Sequence, residues 1–382
     1  MVMISLSIIS GIIVELSYQE IIRYKLAIYQ RDEAKAQSLA EGGENIAYLF
    51  LIIQKKMQLY LKNLSDKNIP LSNSMIWDFL PLKSNFLKKI VNKKLVRSIN
   101  LDVKQIKKTK FEKPSGGFGH FRGFFNVEII DEDSKISLLN FAKFNNQKRR
   151  IIIRDMLLAL FDKEEYNMIF ENNHSTKHTL NRLELVGSIF SYIDVFDHII
   201  DVQVKDHQWG NKGYGSKKDL YLKYNIKPKC SNLDSFEELR LVYGITDSHI
   251  DILRNTVSVY GISEKINIFS ANAKILETLI RYCVIDSLDY RLKDPEFIND
   301  IIVKWNEYKK YAIGPVTSNG FVEFLQTRKL LINNIKCKAV IGTSSQIFTI
   351  KTNAKVGQVN KTLTLVTNIK KKLEEFYYFN NN

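Results

Sequence analysis

The stretch that decides the fold is the beginning of the chain, which reads MVMISLSIISGIIVELSYQE over Met1–Glu20. Its first fourteen residues carry no charge, and Glu15 is the first ionised side chain. A helix that crosses a bilayer needs about 20 mostly apolar residues, so this run alone is too short. Helical spacing of apolar residues nevertheless continues to Ala40, and the first proline is Pro70. The pattern predicts one long helix with a membrane-like beginning.

Two interpretations of this helix are open. Gly42-Gly43 is predicted to break it, and Ile46–Leu64 resumes the helical periodicity. The beginning lacks the basic residues, short apolar core and small-residue cleavage site of a secretory signal peptide. The helix is either the buried core helix of a soluble domain or a membrane anchor whose first residues precede Met1, and we expect the anchor.

The composition is that of a folded protein with a basic surface. Of 382 residues, 45% are hydrophobic and 25% charged, which excludes disorder over the whole length and a multi-span membrane protein, and allows two or three domains. The net charge is +15, and ten Lys or Arg crowd into residues 88–113, where we predict a solvated face or loop. Such a charge favours anionic partners without selecting among nucleic acid, acidic lipid and acidic protein.

Cysteines are few, at positions Cys230, Cys283 and Cys337, and no CxxC pair occurs. At most one intramolecular disulfide can form, and its pairing cannot be read from the sequence. Buried free thiols are the favoured interpretation.

The later segments alternate between strands and helices. A glycine-rich loop leads into a strand that ends near Ile130, and residues 136–312 have mainly helical periodicity. After Gly314, period-two alternation predicts strands at Ile347–Thr352 and Lys361–Val366, while the tail Phe376–Phe379 is an edge strand or a frayed end. This order favours a domain of helix and sheet interrupted by a helical insertion.

Two units within the insertion raise an alternative function. Leu233–Ile245 has Asp234 as a predicted N-cap and Gly244 after the helix, and Lys265–Leu276 has Ser270 as a predicted N-cap. Helices joined by a glycine turn can present backbone N–H groups to phosphate, so a membrane-anchored helix-hairpin-helix DNA-binding protein of competence type is the alternative. The residues after Gly244 lack the Lys or Arg expected for phosphate contacts, so nucleic acid is not favoured.

No catalytic motif argues for an enzyme. The H-E-x-x-H, G-x-S-x-G, P-loop and EF-hand patterns are absent from the sequence, and His174 and His178 lie in a polar loop pattern. The densest run of carboxylates contains Asp194, Asp197, Asp201 and Asp206. Oxygen ligands clustered in this way suit calcium, although from the residues alone hydrated carboxylates at a helix end are favoured.

Taken in order, several stretches resemble the GspK family, the large minor pseudopilin of the type II secretion system. They are RDEAKAQSLAEGG at Arg31–Gly43, VEIIDEDSKISL at Val127–Leu138, SYID at Ser191–Asp194, and the pair Leu233–Gly244 and Lys265–Leu276. The chain departs from the family pattern at Ser137 and Phe269, where the family has Asn, and at Gly213–Lys218, where lysines stand in place of carboxylates. The prepilin leader is also missing, so Met1 is expected to fall inside the mature helix.

The resemblance implies an α+β, pilin-like fold with a long hydrophobic N-terminal helix and an antiparallel sheet. Residues 1–62 would form the anchor and amphipathic helix, and 63–135 with 313–382 the pilin-like domain. Residues 136–312 would form an all-α insertion of SAM-like or helix-hairpin-helix-like type, divided into 136–230 and 231–312.

The resemblance also implies a place for the protein in the cell. It would be a single-pass protein of the bacterial inner membrane, with its globular part in the periplasm, and would cap the pseudopilus tip. Its partners would be the I-type and J-type minor pseudopilins, the pseudopilus and secreted proteins, and its function protein export across the outer membrane. The family binds calcium, which the resemblance assigns to Asp194 and Asp197.

Overall fold

The computed structural model describes residues 2–65, 123–139, 141, 147–171, 180–194, 199–200, 213–214, 216–222, 226–285, 289–311, 317–369 and 376–381. The basic stretch 88–113, the His174 and His178 pair, and Asp197, Asp201 and Asp206 lie outside these ranges.

Helices dominate the first and middle parts of the chain. The α-helices are α1 (Val2–Ser65), α2 (Gln147–Phe161), α3 (Asn167–Glu171), α4 (Arg182–Ile193), α5 (Lys217–Leu222), α6 (Asp247–Leu253), α7 (Ala273–Cys283), α8 (Pro295–Tyr311), α9 (Ser318–Thr327) and α10 (Asn334–Val340). Short 3₁₀ helices lie at Glu132–Ser134, Glu164–Tyr166, Phe236–Leu241 and Tyr290–Lys293. The strands are β1 (Phe124–Asp131), β2 (Ile136–Ser137), β3 (Ile199–Ile200), β4 (Gly213–Tyr214), β5 (Val257–Ser258), β6 (Ile266–Asn267), β7 (Ile341–Gly342), β8 (Ile347–Val356), β9 (Val359–Asn368) and β10 (Phe376–Asn381).

Helix α1 is continuous over 64 residues, so the predicted break at Gly42-Gly43 is wrong. Gly43 instead lets the helix approach the sheet. A Cβ atom added there would lie 2.8 Å from Thr352 Cγ2 and 2.9 Å from Phe125 Cδ2, whereas one at Gly42 would meet nothing within 4 Å. Gly43 is therefore needed for the close packing of α1 against the sheet. Neither glycine interrupts the helix.

The main sheet is antiparallel, with strand order β1-β8-β9-β10. Strand β1 pairs with β8 from Phe124 opposite Lys355 to Asp131 opposite Phe348. Helix α1 covers one face, and the shared core comprises Ala36, Leu39, Ala40, Ala47, Leu51, Phe125, Val127, Phe348, Ile350, Ala354, Val356, Val359, Leu363 and Leu365. The predicted α+β fold, with a long N-terminal helix packed on an antiparallel sheet, is confirmed, and the tail is an edge strand.

A second core belongs to the helical block between β1 and β8. Trp305 of α8 is 1% exposed and lies edge-on to Phe321 of α9, with ring centroids 4.7 Å apart. Helices α9 and α10 contribute Phe321 and Val340 to this core, which reaches Ile341 of β7. The packing of the block therefore continues past residue 312, where the sequence pattern set its end, because α9 and α10 are helices that bury their apolar faces against α7 and α8.

The cysteines also differ from the expectation of free thiols. Cys283 and Cys337 form a disulfide, with Cα atoms 4.9 Å apart, and only Cys230 of the three is a free thiol. The pairing follows from the meeting of two helix ends, since the Asn333 N–H donates to the Cys283 carbonyl over 2.9 Å just before α10 begins. Their 54-residue separation gave no local signal of this contact.

Helix caps in the insertion are shifted from the predicted positions. Ser235, rather than Asp234, caps the segment at Phe236–Leu241, which is a 3₁₀ helix. Asn272, rather than Ser270, caps α7 by accepting a hydrogen bond from the Ile275 N–H. Ser270 is used elsewhere, in a buried cluster described below.

Candidate functional site

The amino-terminal half of α1 is the most unusual surface of the described structure. Every residue from 3 to 27 is exposed, and an 18-residue window of mean hydropathy 1.3 within Met3–Met57 is wholly unburied, long and apolar enough to cross a membrane. The large apolar side chains exposed along it are Met3, Ile4, Leu6, Ile8, Ile9, Ile12, Ile13, Val14, Leu16, Tyr18, Ile21, Ile22, Tyr24, Leu26 and Tyr29. We call this segment, residues 3–29, the bare helix.

The first half of the bare helix is uncharged and apolar around its axis, and its charged residues, Glu15, Glu20, Arg23 and Lys25, follow in the second half. Met3, Ile4 and Ile9 are more than 50% exposed although they point in different directions around the axis. A helix that exposes apolar side chains around its axis is stable only where lipid or other helices cover those side chains. The interpretation of this segment as the buried core helix of a soluble domain is therefore wrong.

The second half of α1 is fastened along the sheet, and its contacts fix its direction. Near the β8–β9 turn, a Cβ atom added at Gly357 would lie 2.7 Å from Asp32 Oδ2, and Lys361 forms an ion pair of 3.0 Å with Glu33. About five turns beyond Ala36, the first buried residue of α1, Lys55 Nζ donates to the carbonyl of Ile369 at the far end of β9. The bare helix therefore leaves the sheet at the end formed by the β8–β9 turn.

The helical block is attached at the opposite end of the sheet. Asp131 closes β1 and faces Phe348 at the start of β8, so the block leaves and re-enters the sheet at adjacent strand ends. Because Lys355 and Phe124 mark the other end of the same strand pair, the block and the bare helix project from opposite ends of the sheet.

A buried acidic cluster joins the block to the sheet, and we call it the junction cluster. Asp131 Oδ2 accepts hydrogen bonds from the Asn267 side-chain amide at 2.9 Å and from the hydroxyls of Ser345 (2.5 Å) and Ser270. Asp131 is 5% exposed. Burial raises the pKa of its carboxyl to about 6, while the donors from Ser270, Ser345 and Asn267 act in the opposite direction.

The other two carboxylates of the junction cluster bind the start of β8. Asp133 accepts from the backbone N–H groups of Gln346 at 2.7 Å and Ile347 at 3.1 Å. Burial raises the pKa of Asp133, and these backbone donors oppose that shift. Glu132 forms an ion pair of 2.9 Å with Lys135 and accepts from the Thr349 hydroxyl at 2.8 Å.

The junction cluster brings together two stretches that the sequence analysis quoted separately. Asp131, Glu132 and Lys135 lie in Val127–Leu138, and Asn267 and Ser270 lie in Lys265–Leu276. Sequence reasoning did not pair them. The available signal was three consecutive carboxylates directly after a strand, which cannot be buried without donors from elsewhere in the chain.

The proposed calcium ligands are only partly within the described residues. Asp194, the C-cap of α4, is 2% exposed and its Oδ1 lies 3.5 Å from Nη2 of Arg150. Asp197 lies outside the described ranges, and among described residues no three His, Cys, Asp or Glu side chains come together as a metal site. The Asp194 carboxylate thus already faces the Arg150 guanidinium. Calcium binding by Asp194 and Asp197 stays a prediction.

The unit that suggested a DNA-binding hairpin has its cations paired. Gly244 provides the turn with φ +83°, between the 3₁₀ helix and α6. Arg240 contacts Glu237 at 2.9 Å and also Asp247 in the first turn of α6, while Arg254 contacts Glu237 at 2.9 Å. A phosphate at this turn would meet the carboxylate of Asp247, so the geometry does not favour the alternative function.

The chain was compared with family models, curated protein sequences and solved structures. No family model matches the chain, and no curated protein sequence does. Among solved structures, the chain is similar to a chain in the crystal structure of the GspK–GspI–GspJ complex from the enterotoxigenic Escherichia coli type 2 secretion system. The two are 16% identical with a TM-score of 0.47, over 78% of this chain and 95% of that one.

Proposed function

We propose that the chain is a minor pseudopilin of a type II secretion system that caps the pseudopilus tip together with I-type and J-type minor pseudopilins. The observation that carries the proposal is the placement of the bare helix and the helical block at opposite ends of one sheet.

The bare helix needs an apolar cover, and two covers suit the same surface. Its exposed residues 3–27 would extend about 37 Å, somewhat more than the thickness of a bilayer core, and the charged residues among them, Glu15, Glu20, Arg23 and Lys25, all follow the uncharged run 3–14. In the membrane, lipid would cover it as a single-pass anchor. In a filament, the helices of neighbouring subunits would replace the lipid, which makes transfer from membrane to filament possible without refolding.

The position of the block suits a cap. A filament of this design grows by packing bare helices side by side, with the globular parts facing outward and towards the tip. A block of this size at the end of the sheet opposite the bare helix would occupy the space that a further subunit needs. A subunit built in this way ends a filament rather than extending it.

The disulfide supports a periplasmic globular part. Cys283 and Cys337 are both fully buried, and disulfides persist mainly in oxidising compartments such as the bacterial periplasm. The cytoplasm would keep such thiols reduced.

The first experiment is affinity purification of the tagged full chain from gently solubilised membranes, with partners identified by mass spectrometry. We expect two smaller pilin-like proteins in near-equal amounts. A matched control is the variant Ile12→Lys, which places a charge in the middle of the bare helix and should lose these partners. Recovery of DNA, or of no pilin-like protein, would contradict the proposal.

A second experiment tests the cap itself. Because Asp131 and Phe348 are neighbours across the strand pair, residues 135–345 can be replaced by a short Gly-Ser linker without separating β1 from β8. We expect this variant to retain its pilin-like partners, since α1 and the sheet remain, and to lose secretion. Normal secretion by the deletion strain would refute the role of the block as a cap.

A further inference from the structure

A buried lysine lies at the carboxyl end of α4. Lys217, on α5, has no exposed surface, and its Nζ donates to the carbonyl of Ser191 at 3.0 Å and to the carbonyl of Asp194. A lysine is almost never fully buried unless it is paired. Its ammonium group therefore has a specific task at this helix end.

The task follows from the chemistry of helix ends. The last carbonyl groups of a helix lack partners within the helix and carry a partial negative charge. At the end of α4, the Tyr192 carbonyl accepts a hydrogen bond from the Cys230 N–H at 3.2 Å. The carbonyls of Ser191 and Asp194 accept hydrogen bonds from Lys217 Nζ. A cation that collects carbonyl oxygens in this way does what a bound metal ion would do.

The carboxylate of Asp194, at the end of α4, faces a second buried cation. Arg150, from α2, is 8% exposed and its Nη2 lies 3.5 Å from Asp194 Oδ1. Among the described residues, Asp194 thus has one buried cation, Arg150, beside its carboxylate and another, Lys217, at its backbone carbonyl. A calcium ion would add two positive charges to this low-dielectric cluster and would compete with Lys217 for the same carbonyl oxygens.

We propose that Lys217 and Arg150 replace a metal ion at the end of α4, so that this part of the helical block folds independently of calcium. The chain carries its own cations where the family resemblance implied a calcium site, in keeping with the lysines found at Gly213–Lys218. The inference does not depend on the proposed function, because it concerns only the folding of the block.

The test measures thermal unfolding of the detergent-solubilised full chain in EGTA and in millimolar CaCl₂. Tryptophan fluorescence is a suitable probe, since Trp305 is buried in the block. Removing the ammonium in Lys217→Met leaves buried carbonyls unpaired, and should lower Tm by about 5 °C in both buffers. The matched control is Lys218→Met at the exposed neighbouring position, for which the loss in Tm should be much smaller.

Calorimetric titration of CaCl₂ into the wild type and Asp194→Asn completes the test without relying on the lysine variant. If Lys217→Met fails to fold in both EGTA and CaCl₂, the stability has been lost without rescue by calcium, which supports the proposal. Calcium binding that Asp194→Asn abolishes, with a calcium-dependent rise in the wild-type Tm, would overturn it. So would a Lys217→Met variant as stable as Lys218→Met.

Discussion

The contact of Gly43 with the sheet gives a sharp prediction, because the neighbouring Gly42 has the same local sequence context and no contact. An alanine methyl at position 43 would lie 2.8 Å from Thr352 Cγ2, 2.9 Å from Phe125 Cδ2 and 3.1 Å from Val127 Cγ2. Carbon atoms pack favourably at about 3.5–4.0 Å. Since Thr352 and Phe125 are almost completely buried in the sheet, either the helix moves outward or the core repacks.

The magnitude follows from two opposing effects. Overpacking a core costs about 1–3 kcal/mol. Alanine in place of glycine in a helix interior gains about 1 kcal/mol. Gly43→Ala should therefore lower the free energy of unfolding by about 0–2 kcal/mol, whereas Gly42→Ala, with nothing within 4 Å of its new methyl, should raise it by about 1 kcal/mol. The gain in helix propensity cancels between the two variants, so their difference, about 1–3 kcal/mol, measures the overpacking.

Urea unfolding of the detergent-solubilised full chain, followed by circular dichroism, measures both variants against the wild type. The two substitutions are chemically identical and adjacent, so detergent and expression effects are shared. Equal stability of the two variants, or a Gly43→Ala protein more stable than the wild type, would refute the close contact of α1 with β1 and β8.

Three further predictions concern the junction cluster, the disulfide and the bare helix. Burial raises the pKa of Asp131 from 3.8 to about 6, so its contribution to stability is present below pH 3.8 and is lost as the pH rises through 6. Relative to Asp131→Asn, the wild type should gain about 2 kcal/mol in unfolding free energy between pH 7 and pH 4, measured by urea titration at each pH. Replacing Cys283 and Cys337 by serine opens a 54-residue loop and should cost about 4 kcal/mol, whereas Cys230→Ser should leave the urea midpoint unchanged. Ile12→Lys should move protein from the membrane to the soluble fraction, since a lysine at the centre of a spanning helix costs about 3 kcal/mol, while Ile12→Leu should not.

The sequence was sufficient to predict features that depend on local periodicity. The long helix, the strands β1, β8 and β9 and the helical character of the insertion all follow from apolar spacing within short windows. The helix through Gly42-Gly43 was missed, because a glycine weakens a helix by only about 1 kcal/mol and tertiary packing against β8 decides the outcome.

Features that depend on distant contacts could not be predicted in the same way. Ser270 has the residue type and position of an N-cap, yet its hydroxyl is used by Asp131, 139 positions earlier in the chain. The cation at the end of α4 was likewise hidden, because Lys217 and Asp194 are 23 positions apart in the chain. Buried polar groups find whichever partner the fold brings near, and sequence spacing contains little information on that partner.

The position of the block between paired strands has a consequence for how the protein is made. Glu132 and Thr349, hydrogen-bonded at the base of the sheet, are 217 positions apart, so β1 leaves the ribosome long before its partner β8 exists. Closing so long an unstructured loop would cost about 5 kcal/mol of chain entropy. Prior folding of the block removes most of that cost, because its two ends lie side by side at Asp131 and Phe348. The block is therefore expected to act as the folding template for the sheet, and until it forms, the apolar face of β1 is open to aggregation and to chaperones.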